Sequence, residues 1–489
     1  MHPIAKADRL YVWHPFTQMR DWAKKEPIII AGGKGSLLFD IHGKEYLDAN
    51  SSIWTNIHGH NHPKINASIN RQLQQVAHTS ALGLANVPAS LLAAELVDAA
   101  NPPDLNASSR VSSPALPQGH RLKNPLLSKV FYSDDGSTAT EVALKLAYEF
   151  SRRTRPESKP RFLSLSGAYH GDTIGAVSMG HIDLFHKAYD GLLFKTDQVR
   201  APYCYRCPSN KAGPERADAR TYRQCRNECL DDVEMKLDRQ ARRKTPYAAF
   251  MFEPVMQGAA GMIAQPQGYL RQVAGMARSH GTLLIADEVM TGFGRTGFRE
   301  GVAPSLFASH QEGVQPDFLC LAKAMTGGYL PMAATLTTRT VFDQFLGKYE
   351  DFKTFFHGHS FTGNQLGAAA SLASMKLLRS TPVQNRRIQL QRVMSDELAS
   401  LWSLPNVGDI RQEGLVAGIE LVKDWRTRTP FDLSQRVGIK VCEEMASRGI
   451  LTRPIGSILV LMPPYCTTPS QLRQMVTVMG EAIQKVLKR

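Results

Sequence analysis

Short apolar runs alternate along the chain with segments whose apolar positions recur at helical spacing. Residues 129–132, Lys-Val-Phe-Tyr, predict a strand. Beyond them residues 139, 142, 143, 146, 147 and 150 are apolar, the stripe of a helix lying on a sheet. Residues 162–165, 248–252, 282–286 and 318–321 predict further buried strands, with helical patterns such as 270–280 between them. Strand–helix alternation implies an α/β fold, a mainly parallel sheet with helices on both faces. Residues 364–379 are rich in Ala and Leu, lack Pro, and predict a long helix. Residues 407–422 and 451–462 predict strands of a smaller α+β unit.

A length of 489 residues adds the expectation of two or three folding units. With 43% hydrophobic and 21% charged residues, a mostly disordered or collagen-like chain is excluded. No run of 18 apolar residues occurs, so no membrane-spanning helix and no membrane partner is expected. The opening MHPIAKADRLYVWHPF has no apolar core of a secretory signal, and seven cysteines are too few and too odd for a disulfide scaffold. Both point to a reducing, cytoplasmic setting. The charge balance is 58 − 44 = +14. The basic residues fall in short clusters without interleaved aromatics, so no nucleic acid is expected, and the field suits anionic small molecules. Two stretches break the pattern: a Ser- and Pro-containing insertion near 104–124, and a second near 201–230, rich in Cys, Arg and Pro.

The candidate chemistry sits just after strand candidates, where ligands of open α/β sheets bind. Asp134-Asp-Gly-Ser-Thr138 opens a helix, and the N–H groups of Gly136, Ser137 and Thr138 make an anion nest suited to a phosphate. Asp287 ends a buried run, where a carboxylate needs a partner. Lys323 precedes Thr326-Gly-Gly328, and desolvation there lowers its pKa toward nucleophilic use. Together these are the parts that a protein brings to pyridoxal phosphate. Separately, Cys204-x2-Cys207, 17 further residues and Cys225-x3-Cys229 have the spacing of a four-thiolate metal site, zinc before an iron–sulfur cluster.

The chain resembles the class III pyridoxal-phosphate aminotransferases at SDDGSTATEVALK (133–145), GAYHGDTIGAVS (167–178), LIADEVMTGFGRTG (284–297) and AKAMTGGYLPMAATLTT (322–338). WHPFTQM (13–19) and LTRPIGSILVLMPP (451–464) are similar to the branch that aminates 8-amino-7-oxononanoate in biotin synthesis. The resemblance implies a fold-type I enzyme. Residues 76–362 would form the large cofactor-binding domain, and residues 1–75 and 363–489 the small one. It implies small-molecule substrates and a homodimer with active sites at the interface. Lys323 would hold the cofactor covalently and shuttle a proton. Asp287 would face the pyridine nitrogen, Tyr169 would stack on the ring with His170 beside it, and Gly136 and Ser137 would hold the phosphate. Ser360 would reach the neighbouring subunit's cofactor, and Glu253 would be a gating carboxylate. Arg453 would clamp the substrate carboxylate, a role suited to a guanidinium, and Trp54 and Phe16 would shape the substrate slot. Two departures bear on the amino donor. Phe16 stands where adenosylmethionine users have Tyr, and Ile53 replaces one of a tryptophan pair, which favours lysine over adenosylmethionine. The alternatives are another class III ω-aminotransferase, acting on ornithine, 4-aminobutyrate or a diamine, and a catalytically dead basic binding protein.

Overall fold

The computed structural model describes residues 1–103, 126–299 and 305–487. The insertion expected at 104–124 lies outside them. The main sheet has seven strands, in spatial order Leu127–Ser133, Ala333–Thr338, Phe318–Leu321, Leu283–Asp287, Ala249–Phe252, Phe162–Leu165 and Asp197–Val199. Ala333–Thr338 runs antiparallel to both neighbours. The five strands on its far side are mutually parallel.

Period-two alternation divides the core into two layers. Leu163, Phe250, Phe252, Leu284, Ala286, Leu319 and Leu321 face one side. Phe162, Ala249, Met251, Ile285, Phe318 and Cys320 face the other, against Ala139, Val142, Ala143, Leu146 and Ala147 of the helix Gly136–Thr154. With both faces covered, the strands read as continuous apolar runs, which is why they stand out in the sequence. Two strands of this main sheet were not expected. Asp197–Val199 is short and polar. Ala333–Thr338, Ala-Ala-Thr-Leu-Thr-Thr, is buried at every position and shows no alternation.

The expected C-terminal strands form a hairpin, Val407–Glu413 with Val416–Asp424, that pairs onward to Ile458–Leu461. The two ends of the chain share a further sheet. Ile450–Leu451 pairs in parallel with Glu45–Asp48, setting Ile450 opposite Leu47. The helix expected at 364–379 spans Gln365–Leu378, and the Asn364 side chain caps it by accepting from the Gly367 N–H at 3.0 Å. Among the described residues no helix is long and apolar enough to cross a membrane.

Candidate active site

A cavity of about 490 Å³ lies beyond the carboxyl ends of the parallel strands. Eight of the eleven residues singled out for cofactor or substrate line it: Trp54, Gly136, Ser137, Tyr169, His170, Glu253, Asp287 and Lys323.

Lys323 follows the strand Phe318–Leu321 in a left-handed backbone conformation, φ +42°. Burial lowers its pKa, against the opposing pull of Asp287 and Glu253. Its Nζ lies 4.7 Å from the centre of the Trp54 ring. Asp287 is the last residue of its strand. Its Oδ2 pairs with His170 Nδ1 at 2.7 Å, and its Oδ1 accepts from the Val289 N–H at 3.0 Å. A carboxylate offers about four lone-pair sites, so acceptor capacity remains for a donor in the cavity. The buried Nε2 of His170 has no partner among the described residues. Glu253 accepts from the N–H groups of Gly258, at 2.7 Å, and Tyr169, at 3.3 Å. Burial pushes its pKa up to about 7.

The helix Gly136–Thr154 begins at the cavity. Asp135 accepts from the Thr138 N–H, and Thr138 Oγ1 accepts from the Asp135 N–H, both at 3.0 Å. That box uses the third N–H of the helix. The first two, of Gly136 and Ser137, have no carbonyl a turn earlier to bond. Glycine is required here by close approach. A Cβ on Gly136 would stand 2.6 Å from Val289 Cγ1, and one on Gly171 2.1 Å from Ser137 Oγ.

Trp54 is delivered by an uncommon turn. Ser51, Ser52, Ile53 and Trp54 all have positive φ, from +46° to +70°. Left-handed backbone costs a non-glycine residue about 1–2 kcal/mol, so the surroundings must impose it. Asp48 does much of this. Its Oδ1 accepts from the N–H groups of Ser52 and Asn50 at 3.1 and 3.3 Å. Its Oδ2 accepts from Ser52 Oγ at 2.9 Å and pairs with His60 Nε2 at 3.0 Å. Trp54 Nε1 then donates to Asn50 Oδ1 at 2.8 Å. Neither Asp48 nor His60 was singled out from the sequence. The available signal was three histidines within Ile57-His-Gly-His-Asn-His62.

Three candidates lie elsewhere. Phe16 is exposed, with its ring 5.4 Å from Phe185, which in turn is 6.3 Å from Tyr169. Ser360 is exposed, and its carbonyl oxygen pairs with His78 Nε2 at 2.7 Å. Arg453 is exposed and does not line the cavity. The charge expectation also needs correction at this point. The lining carries Asp134, Asp135, Glu253 and Asp287 against Lys323, so the net +14 of the chain is not the sign of the site. The zinc expected from the cysteine spacing is not supported either. Among the described residues no group of three or more His, Cys, Asp or Glu side chains is set to hold a metal ion.

The chain is similar to proteins named adenosylmethionine-8-amino-7-oxononanoate aminotransferase. The relative from Geobacter sulfurreducens is 43% identical, covering 98% of this chain and 97% of its own. That from Nitratidesulfovibrio vulgaris is 46% identical, covering 98% of this chain and 81% of its own. The crystal structure of the Methanocaldococcus jannaschii protein of that name superposes with a TM-score of 0.84 at 36% identity, covering 99% of this chain and 98% of that one. The family model described as aminotransferase class-III matches residues 19–483. On that match, which takes in the whole cavity, the chain belongs to the class-III aminotransferases.

Proposed function

We infer that the protein is a pyridoxal-phosphate aminotransferase that converts 8-amino-7-oxononanoate to 7,8-diaminononanoate, the biotin-pathway step. The observation that carries this is a desolvated Lys323 amine in one cavity with the hydrogen-bonded Asp287–His170 pair. The names of relatives above 40% identity supply the substrate.

The residues present fit the cofactor. Asp287 has acceptor capacity for a protonated ring nitrogen. The free N–H groups of Gly136 and Ser137 at a helix start suit a phosphate, and Tyr169 and His170 flank the same space. When bound, pyridoxal phosphate supplies an electron sink for the substrate carbon. The protein supplies the rest. Lys323, whose pKa burial lowers, accepts the proton from the donor's reacting carbon in one half of the turnover. It returns a proton to the acceptor's carbon in the other. Asp287 holds a proton at the ring nitrogen, and His170 fixes which way its carboxylate points. Trp54 sets its ring centre 4.7 Å from the Lys323 amine and gives that side of the cavity an apolar face.

The family resemblance assigns the distal carboxylate of the acceptor to Arg453, which lies outside the cavity lining of the single chain; the acidic lining does not itself provide that cation. The amino donor is adenosylmethionine, following the relatives' names, and a cationic sulfonium suits the acidic lining. Lysine is the second reading, favoured by Phe16 and Ile53. The protein works as a homodimer. Ser360 lies in an exposed region with Phe356 and Phe361, and Leu82, Leu84 and Val87 are also exposed apolar side chains. The test is product formation from 8-amino-7-oxononanoate with each donor. Turnover of ornithine or 4-aminobutyrate without turnover of the oxononanoate would replace this substrate assignment.

A further inference from the structure

A carboxylate outside the cavity governs one of its walls. Asp48 accepts four hydrogen bonds, from the Asn50 and Ser52 N–H groups, from Ser52 Oγ and from His60 Nε2. A carboxylate offers about four lone-pair sites, so none is left for a ligand. Asp287, bonded to His170 and Val289, differs in keeping capacity to spare. The Asp48 side chain is buried, and neither it nor His60 lines the cavity. Burial works to raise the pKa of Asp48. The hydrogen bonds from His60 and Ser52 outweigh it and hold the group below its ordinary value. A buried, ionised carboxylate with every acceptor site filled is a fastening and not a reagent.

The atoms around His60 place its proton. The Gly59 N–H donates to Asn56 Oδ1 at 2.7 Å, which fixes the amide and turns its Nδ2 toward His60 Nδ1 at 3.0 Å. An amide N–H can only donate, so Nδ1 accepts. The neutral imidazole then carries its proton on Nε2, facing Asp48 Oδ2 at 3.0 Å. Gly59, Asn56 and His60 thus form a one-way relay of donors that ends on Asp48. A second proton, on Nδ1, would set two donors against each other.

Three parts of the cavity hang from this relay. Asp48 holds Asn50 and Ser52, and Asn50 Oδ1 receives the indole N–H of Trp54. The backbone of Asn56 lies against the loop that follows Lys323: a Cβ on Gly328, which lines the cavity, would fall 2.9 Å from Asn56 N and Cα. Asp48 also ends the strand Glu45–Asp48 opposite Leu451, and the Ala49 N–H donates to the Leu451 carbonyl at 2.9 Å. The chain leading into Arg453 is therefore held in the same frame as Trp54.

We propose that Asp48 and His60 are positioning residues for Trp54 and so set how the oxo-acid chain lies against Lys323, an inference that rests on the substrate assignment above. An aliphatic chain has no polar group along its length to fix its register, so a rigid apolar wall must do it. The Trp54 wall stands on a left-handed turn with no glycine in it, which holds its shape only while Asp48 grips it. Asp48→Asn breaks the relay, because the amide can turn an N–H toward the N–H of His60. His60→Gln keeps it, since glutamine also offers a donor and an acceptor, and His60→Leu removes both.

The test is a double-mutant cycle between Asp48→Asn and Trp54→Ala on the full-length holoenzyme, with 8-amino-7-oxononanoate varied at fixed donor. Asp48→Asn should lower kcat/KM by about tenfold or more, raising KM more than it lowers kcat. In the Trp54→Ala background the same change should cost less than about twofold, because the side chain it positions is gone. His60→Gln should stay within about threefold of wild type, and His60→Leu should follow Asp48→Asn. A second readout needs no turnover. Acrylamide quenching of Trp54 emission, taken in each background as the difference from protein carrying Trp54→Phe, should rise in Asp48→Asn and His60→Leu but not in His60→Gln. Losses that multiply across the cycle, or unchanged quenching in His60→Leu, overturn the proposal and leave Asp48 with a role in stability alone. If Asp48→Asn fails to fold, the two His60 variants, at a partly exposed side chain, decide. If the wild type does not turn over the oxononanoate, the substrate assignment falls, and the quenching still tests the positioning of Trp54.

Discussion

Nδ1 of His170 stands 2.7 Å from Oδ2 of Asp287, and both side chains are almost wholly removed from water. A carboxylate so placed is aimed as well as charged. The imidazole takes one oxygen, the Val289 N–H takes the other, and the remaining acceptor directions are left to the cavity. Asp287→Asn keeps the shape and removes the charge. If Asp287 holds a proton on the cofactor ring, turnover should fall by about 10²–10³, the range for losing one preorganised electrostatic partner. A loss below tenfold, with cofactor still bound, would assign the ring nitrogen to another group.

Much of this arrangement was legible before any coordinates. The strands carrying Asp287 and Lys323 are buried on both faces, so they appear as apolar runs with a charged residue at the end, a costly position that advertises itself. The phosphate nest was legible because glycine and a capping pattern coincide. The Trp54 turn was not. Four consecutive left-handed residues have no local signal when none is glycine, and the restraint comes from Asp48 and, across the turn, His60. Ala333–Thr338 failed for a different reason: it is buried at every position, but half of Ala-Ala-Thr-Leu-Thr-Thr is threonine, so it makes neither an apolar run nor an alternation. The acidic lining was also hidden, because net charge sums a surface and says nothing of one cavity.

Lys323 is expected to be indispensable in a way that its neighbours are not. Lys323→Ala should abolish turnover, by more than ~10⁴-fold given a combined nucleophilic and proton-transfer role. The fold and noncovalent cofactor binding should remain. Absorbance of the cofactor after borohydride treatment and gel filtration is the readout. Covalent retention of cofactor by the variant would identify a different lysine.

Glu253 makes a prediction about stability that needs no substrate. Burial raises its folded pKa to about 7 from an ordinary 4.5. The folded protein therefore keeps a proton that the unfolded chain has already released, and stability falls as pH rises between about 4.5 and 7. The full effect is on the order of 3 kcal/mol, from 1.36 kcal/mol per pKa unit. Glu253→Gln is neutral throughout. Glu288 and Asp409 also have raised values near this window, so the difference between wild type and variant is the quantity to read. In urea unfolding of cofactor-free protein the variant should match the wild type near pH 4 and exceed it at pH 8. Parallel curves across that range would show that the Gly258 and Tyr169 N–H groups keep the carboxylate ionised throughout.

The amino donor rests on two differences, Phe16 in place of Tyr and Ile53 in place of Trp, whose positions are now known. Phe16 and Ile53 argue for lysine only if they touch the donor. In the single chain neither lines the cavity. Phe16 packs its ring on Phe185 at the rim, and Ile53 is partly exposed within the left-handed turn. The lining that a donor does meet is acidic, which suits the sulfonium of adenosylmethionine and the ammonium of lysine alike, so the choice of adenosylmethionine rests on the relatives' names. Half-reactions followed at the cofactor's visible band should therefore run faster with adenosylmethionine than with lysine at equal concentration. Phe16→Tyr separates the two readings further. If the ring only packs on Phe185, the ratio of the two donor rates should stay within about threefold, less than a lost specificity contact would cost. A tenfold shift toward adenosylmethionine in that variant, with lysine faster in the wild type, would place Phe16 against the donor and make lysine the natural one. The acceptor half-reaction should be unchanged in either case, because the acceptor is reached after the donor has left and relies on Lys323 and the distal cation.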